Sequence, residues 1–171
     1  ATIGEKMGFK IWLPKADRTR VLNHWKPADG VLLNQLPLNY DETTLSTIEQ
    51  IDVIWVKGRS IVRAFEVEHT TSIYSGILRM ADLMALQPNI DIKAHIVAPD
   101  YKREKVLQEI NRPVFSLLEK GPLSESCTYI SLSESCTYIS YDSIYELEKQ
   151  KIIEHMSDTG IDVYAESRSI E

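Results

Sequence analysis

Between Ile51 and His69 two runs of β-branched and aromatic residues flank a short polar tetrapeptide. Ile51 to Val56 contains a single charge, Asp52; Lys57-Gly58-Arg59-Ser60 has turn chemistry; and Ile61 to His69 resumes the strand pattern. These segments predict a hairpin. Alternation along its second strand puts Val62, Ala64, Glu66 and Glu68 on one face and Ile61, Phe65 and Val67 on the other. Both faces carry apolar residues, so the strand is expected to be largely buried.

Upstream, Thr2 to Gly8 reads as the end of a helix stopped by Gly8, and Phe9 to Leu13 alternates as a strand closed by Pro14. Lys15 to Glu49 holds Pro27, Gly30 and Pro37 without a sustained period and is expected to be mostly loop, with Asp17-Arg18 a loop pair. Its last part, from Asp41 to Gln50, can form a short capped helix with Leu45 and Ile48 turned inward. Downstream of the hairpin, Ile73, Ile77, Met80 and Met84 recur at helical spacing, capped by Thr70, Thr71 or Ser72 and ended by Pro88. Ser72, Ser75, Arg79 and Asp82 form the polar strip of this otherwise apolar helix. Lys93 to Pro99 predicts a fourth strand, and Asp100 to Leu118 a helix with Val106, Leu107 and Ile110 inward, broken at Pro113.

Leu123 to Ser131 and Leu132 to Ser140 are the same nine residues, LSESCTYIS, twice over. Two copies are too few for a solenoid, so the repeat is read as a local duplication or an artefact of the record. One copy running into Tyr141 gives a fifth strand, Cys-Thr-Tyr-Ile-Ser, followed by a helix through Glu146, Leu147 and Ile153. The order helix, strand, hairpin, helix, strand, helix, strand, helix predicts an α/β domain: a mixed β-sheet of about five strands flanked by helices on both faces.

The 171 residues fit a single domain of ordinary globular composition, 43% hydrophobic and 26% charged. No apolar run approaches the roughly 20 residues of a membrane span and no signal peptide opens the chain, so a cytoplasmic protein is expected. Because the first residue is Ala1 and the opening helix is short, the chain is expected to be the C-terminal part of a longer protein. Both cysteines, Cys127 and Cys136, lie in the repeat, and no zinc-ligand cluster exists in the sequence. A net charge of -6 argues against a generally basic nucleic-acid coat. It leaves room for local cations, for which Lys10, Lys15, Arg18, Arg20 and Arg59 are candidates.

Asp52, Glu66 and Glu68 stand where strands are usually apolar, and a buried carboxylate without a partner costs several kcal/mol or takes up a proton. Together they call for a cation, either a metal or a protein side chain. Asp and Glu oxygens are hard ligands suited to Mg²⁺ or Mn²⁺, and Glu66 and Glu68 lie about 6.7 Å apart on one strand face. The competing reading has Asp52 accepting backbone hydrogen bonds at a strand start, and Glu66 and Glu68 in salt bridges to Arg63, Lys93 or Arg79. Arg79 itself is read either as a clamp for a DNA phosphate or as the partner of Asp82 one turn on. His69, on the face opposite Glu66 and Glu68, is read as a core or surface histidine, and Tyr74 as core.

The order of elements, with Asp52 opening the second strand and Glu66-Val67-Glu68 near the end of the third, resembles the PD-(D/E)xK nuclease superfamily. The stretches IDVIW and FEVEHTTSIYSGILRMADL are similar to restriction-endonuclease-like domains, and the likeness covers roughly residues 1 to 155. It implies a Mg²⁺-dependent endodeoxyribonuclease, the cleavage module of a restriction enzyme, in which Asp52 and Glu66 hold the metal and Glu5 assists from the first helix. Glu68 occupies the position of the family's Lys, making an ExE variant, and Ile51 replaces the family's Pro. The resemblance then implies that Glu68 binds metal or acts on water, with Lys93 a candidate substitute for the Lys. DNA as substrate, a homodimer and an upstream DNA-recognition domain follow from the same likeness. The alternatives are a nucleic-acid-binding or dimerisation module that kept the fold and lost catalysis, and a repair or RNA-directed nuclease.

Overall fold

The computed structural model describes residues 1–38, 41–69, 73–86, 92–112 and 135–167. Among them the chain forms α1 (Thr2–Lys6), β1 (Lys10–Trp12), α2 (Arg18–Leu22), α3 (Glu42–Ile48), β2 (Val53–Lys57), β3 (Ser60–Val67), α4 (Ile73–Leu86), β4 (Lys93–Ala98), α5 (Arg103–Ile110), β5 (Cys136–Ser140) and α6 (Tyr141–Lys149). The five strands make one sheet in the order β1-β2-β3-β4-β5. β1, β2 and β3 are antiparallel, while β3, β4 and β5 run parallel through the crossovers that carry α4 and α5. This is the mixed, two-sided sheet that the element order predicts, and it is consistent with the restriction-endonuclease-like fold.

Each face of the sheet carries its own core. On one, Ile54, Val56, Ala64, Ala94, Ile96, Cys136 and Tyr138 pack with Ile48 of α3, Ile77, Met80 and Leu83 of α4, and Val106, Leu107 and Ile110 of α5. On the other, Trp55, Phe65, Val97 and Ile139 pack with Ile3 of α1, Leu147 of α6 and the C-terminal Ile153 and Ile161. Helical periodicity forecast the α4 stripe, but Tyr74 and Leu78 stay exposed, with Arg112 lying 5.4 Å over the Tyr74 ring. The expected loop between Lys15 and Glu49 contains the short α2, while α3 is capped by Asp41, which accepts from the Thr43 and Thr44 amides. Arg18 does not pair with Asp17; its guanidinium lies over the Trp12 ring and donates to the Leu13 and Leu33 carbonyls.

Strict alternation fails in β3 at one point. The register jumps between Trp55 and Val56, so Val56 faces Ile61 while Trp55 faces Arg63, and Val62 is the extra residue. The bulge sends Ile61 to the Ala64 face and Val62 to the Phe65 face, the reverse of the simple pattern. Beyond it the alternation holds, and the residues that matter lie there.

The described copy of the repeat, ending in β5, supplies the fifth strand and runs into α6; Ile153 falls in a separate turn of helix. The first copy, the caps at 70–72, Pro88 and Pro113 lie outside the described residues. No helix among the described residues is long and apolar enough to cross a membrane.

Candidate functional site

Three carboxylates lie on the α4 face of the sheet. Ile54 and Ala64 mark that face, and two-residue steps along each strand put Asp52, Glu66 and Glu68 on the same side. Because Val53 pairs with Phe65, Asp52 stands opposite Glu66. An Asp52 oxygen accepts the Val67 amide at 2.7 Å, which pins the start of β2 to the end of β3. The Glu68 amide extends the parallel ladder to the Val97 carbonyl at 2.8 Å, and the Tyr141 hydroxyl donates to the Glu68 carbonyl at 3.1 Å. The backbone of the Glu66-Val67-Glu68 triplet is therefore fixed from both neighbouring strands.

Glu66 is fully buried, and its side chain is gripped by Arg79 of α4: Nε donates to Oε1 at 2.7 Å and Nη2 to Oε2 at 2.5 Å. Arg79 therefore reaches across to β3 and not to Asp82. Burial pushes the Glu66 carboxyl up to about 7; Arg79 opposes the shift, while Asp52 and Glu68 add to it. Burial likewise raises the Asp52 and Glu68 carboxyls, and the Asp52 charge raises Glu68 further. Glu68 is 4% exposed, and its Oε2 is buried without a hydrogen-bond partner. Three acids thus share a site with two cations, Arg79 and Lys102, both of which act on Glu68.

The site lies outside the carboxyl ends of the parallel strands, where ligands of open α/β sheets bind. After β3 comes His69, exposed and stacked on Tyr141 at 6.1 Å; after β4 comes Lys102, whose Nζ donates to the His69 carbonyl at 2.8 Å; after β5 comes Tyr141. Lys102 and Tyr141 carried no motif in the sequence; only their position after a parallel strand could have marked them.

The structure does not bring the other two candidates to this place. Lys93 pairs with Arg63 in the parallel register, on the sheet face opposite Glu66 and three residues before Ile96, the register partner of Glu66. Glu5 sits in α1, against the second core, where it accepts from Trp25 Nε1 at 2.6 Å and from the Ala28 amide at 2.7 Å. Neither lies on the face that carries the three carboxylates. Of the surface cations, Lys10 and Arg59 lie toward the hairpin end of the sheet, Lys10 opposite Val56 at roughly 13 Å along β2 from Asp52 and Arg59 past Lys57, which is itself roughly 17 Å away. Arg20 lies at the near end, within electrostatic reach of Asp52.

As a metal site the donor set fits in chemistry and only partly in arrangement. Hard oxygens from three residues and an orphaned, buried Glu68 oxygen suit a divalent cation. Both Glu66 oxygens are already engaged by Arg79, and among the described residues no three His, Cys, Asp or Glu side chains are grouped closely enough to hold an ion. Asp52 and Glu68 are the open donors.

A mixed five-stranded sheet flanked by helices, with Asp52, Glu66 and Glu68 on one face, is consistent with the restriction-endonuclease-like fold. The family described as the C-terminal domain of the type II restriction enzyme NmeDI matches residues 1–168, and the chain belongs to that family. It is similar to the type II restriction enzyme NmeDI of Neisseria meningitidis serogroup C, at 33% identity over 127 residues, which is 70% of this chain and 36% of that protein. The chain thus spans about a third of the length of the curated relative that it matches. No solved structure matches it.

Proposed function

We propose that this chain is a metal-dependent endonuclease domain that hydrolyses DNA phosphodiester bonds as the cleavage module of a restriction enzyme. The observation that carries the reading is the shared face: Asp52, Glu66 and Glu68 meet on one side of the sheet, and Glu68 Oε2 is buried with no partner. Mg²⁺ or Mn²⁺ would be held by Asp52 and Glu68, joined by Glu66 when Arg79 lets go. Such an ion, when bound, acidifies water and neutralises charge developing on the phosphate. In the reaction the water oxygen would bond to phosphorus, the ester P–O bond would break with its electron pair left on the sugar oxygen, and the proton of the water would pass to a base and from there to that oxygen. Glu66, whose carboxyl burial raises to about 7, suits that proton exchange where Asp52 and Glu68 alone hold the ion. Arg79, once released, is placed to meet a phosphate oxygen as a bidentate donor.

A homodimer places two such sites on the two strands of a duplex. Recognition of sequence would belong to a DNA-recognition domain elsewhere in the same protein, and the setting would be the cytoplasm. Tests follow directly: with Mg²⁺ the protein should nick supercoiled plasmid, and Asp52→Ala or Glu68→Ala should abolish nicking while the far-UV spectrum and thermal midpoint stay close to wild type. Equal nicking by wild type and Asp52→Ala would sink the assignment. One observation favours a second reading, a DNA-binding or dimerisation module without catalysis: both Glu66 oxygens are satisfied by Arg79. That module would bind DNA and leave plasmid intact at every metal tried.

A further inference from the structure

α4 presents Gly76 and, one turn later, Arg79 to the two glutamates of β3. A glycine inside a helix is less favourable than alanine, so its place here calls for a reason. The space around it gives one. A Cβ on Gly76 would stand 2.7 Å from Glu68 Oε1, 3.3 Å from Glu66 Cβ and 3.5 Å from Glu66 Cγ. The Glu68 carboxylate therefore lies directly against the helix backbone, in room that only glycine leaves. Its other oxygen is the buried, unpartnered one.

We infer that Gly76 is a positioning residue: the missing side chain admits the Glu68 carboxylate to the acidic cluster, while Arg79 on the same helix fixes Glu66 by direct bonds. The atom that a new Cβ would meet first is the far end of a flexible side chain, not backbone. Gly76→Ala is therefore met chiefly by a retreat of Glu68 Oε1, with a smaller shift against Glu66 Cβ at 3.3 Å, and the retreat is the effect of interest. To go from 2.7 Å to an ordinary contact of 3.4 Å the oxygen must move by about 0.7 Å. A displacement of that order at a reacting site lowers rate by on the order of 10²-fold.

The catalytic part of this inference rests on the nuclease reading; the positional part does not, and the experiment separates them. Thermal and denaturant midpoints are measured for wild type, Gly76→Ala, Glu68→Ala and the double variant, without metal and then with Mg²⁺. If Gly76 acts through Glu68, the two substitutions are non-additive in stability, and Gly76→Ala shrinks the Mg²⁺-induced shift of the midpoint. Additive midpoints would overturn the inference whether or not the protein cuts DNA.

Nicking is then compared for Gly76→Ala, Glu68→Asp and their combination. The shorter acid makes room for the added methyl, so the combined loss should be clearly smaller than the product of the single losses, a rescue that a merely structural role would not produce. Multiplicative losses would overturn the catalytic part. Absence of nicking by wild type together with non-additive midpoints would overturn the nuclease reading and leave Gly76 as the residue that seats Glu68.

Discussion

Glu66 and His95 stand on neighbouring strands and are both buried, yet their protons respond to folding in opposite ways. Burial raises Glu66 to about 7, whereas burial, reinforced by the Arg63 charge, lowers His95 to about 3. An acid raised above its ordinary value of 4.5 stabilises the fold fully below that pH, and the contribution is lost as pH rises through about 7. A histidine lowered from 6.5 stabilises the fold above that pH, and the contribution is lost as pH falls through about 3. Between roughly pH 4.5 and 6.5 the two slopes oppose each other. Denaturant midpoints followed across that window should slope more upward with pH for Glu66→Gln than for wild type, and more downward for His95→Gln, with the raised Asp52 and Glu68 carboxyls common to all three. A Glu66→Gln profile parallel to wild type would show that Glu66 stays ionised against Arg79. The three carboxylates were legible in the sequence because charge in a buried strand is rare. Arg79 was legible as one of three cations for Glu66 and Glu68, alongside Arg63 and Lys93, and as a partner of Asp82; only the packing of α4 on β3 selects Glu66. Gly76 and Lys102 were not legible: their roles arise from what β3 and β4 bring up against them.

At the scale of elements, β3 is tied down by different chemistry on its two faces. On the face away from the acidic cluster, Arg63 is 1% exposed and donates to Asp162 at 2.7 Å, to the Asp158 carbonyl at 2.8 Å and to His95 Nε2 at 2.9 Å. Because arginine only donates, His95 Nε2 accepts, and its Nδ1 carries the proton that goes to Thr137 Oγ1 at 2.8 Å. The chain therefore bonds β3, β4, β5 and the C-terminal helical turns of Asp158–Tyr164 into one polar line. Asp162→Ala removes the nearer of two carboxylates, the other being Asp158 at 3.8 Å, and leaves a buried guanidinium whose Nε already lacks a partner short of a second bond, so it should cost about 1.5–3 kcal/mol of unfolding free energy. Chemical denaturation measures this, and a loss under about 0.5 kcal/mol would mean that solvent already screens the pair. Sequence pattern placed the strands and the buried helices well, because period 2 and period 3.6 survive in single elements. It misplaced Ile61 and Val62, because a bulge is a decision made jointly by two strands.

For the whole molecule, the proposed function asks how a chain of net charge -6 would approach a polyanion. Lys10 and Arg59 lie toward the hairpin end, and Arg18 is spent on Trp12 and two carbonyls. The cations that share the site are Arg79 and Lys102, while Arg20, paired with Asp17, acts on Asp52 from farther off. Three carboxylates outnumber those two cations, and on the proposed reading a divalent ion held there would offset two of the negative charges and make the same edge of the sheet receptive to DNA. Duplex binding should therefore be weak in chelator, rise with Mg²⁺ or Mn²⁺, and fall steeply with added salt. Each phosphate contact contributes about 0.9 to the slope of log affinity against log salt. Lys102→Ala should reduce that slope by about one, whereas Arg59→Ala, at the far end, should leave it unchanged. Fluorescence anisotropy of a labelled duplex over a range of salt, with metal and with chelator, gives both numbers. A slope that moves with Arg59 and ignores Lys102 would place the DNA across the hairpin and away from Asp52, Glu66 and Glu68, and cleavage by this cluster would lose its substrate.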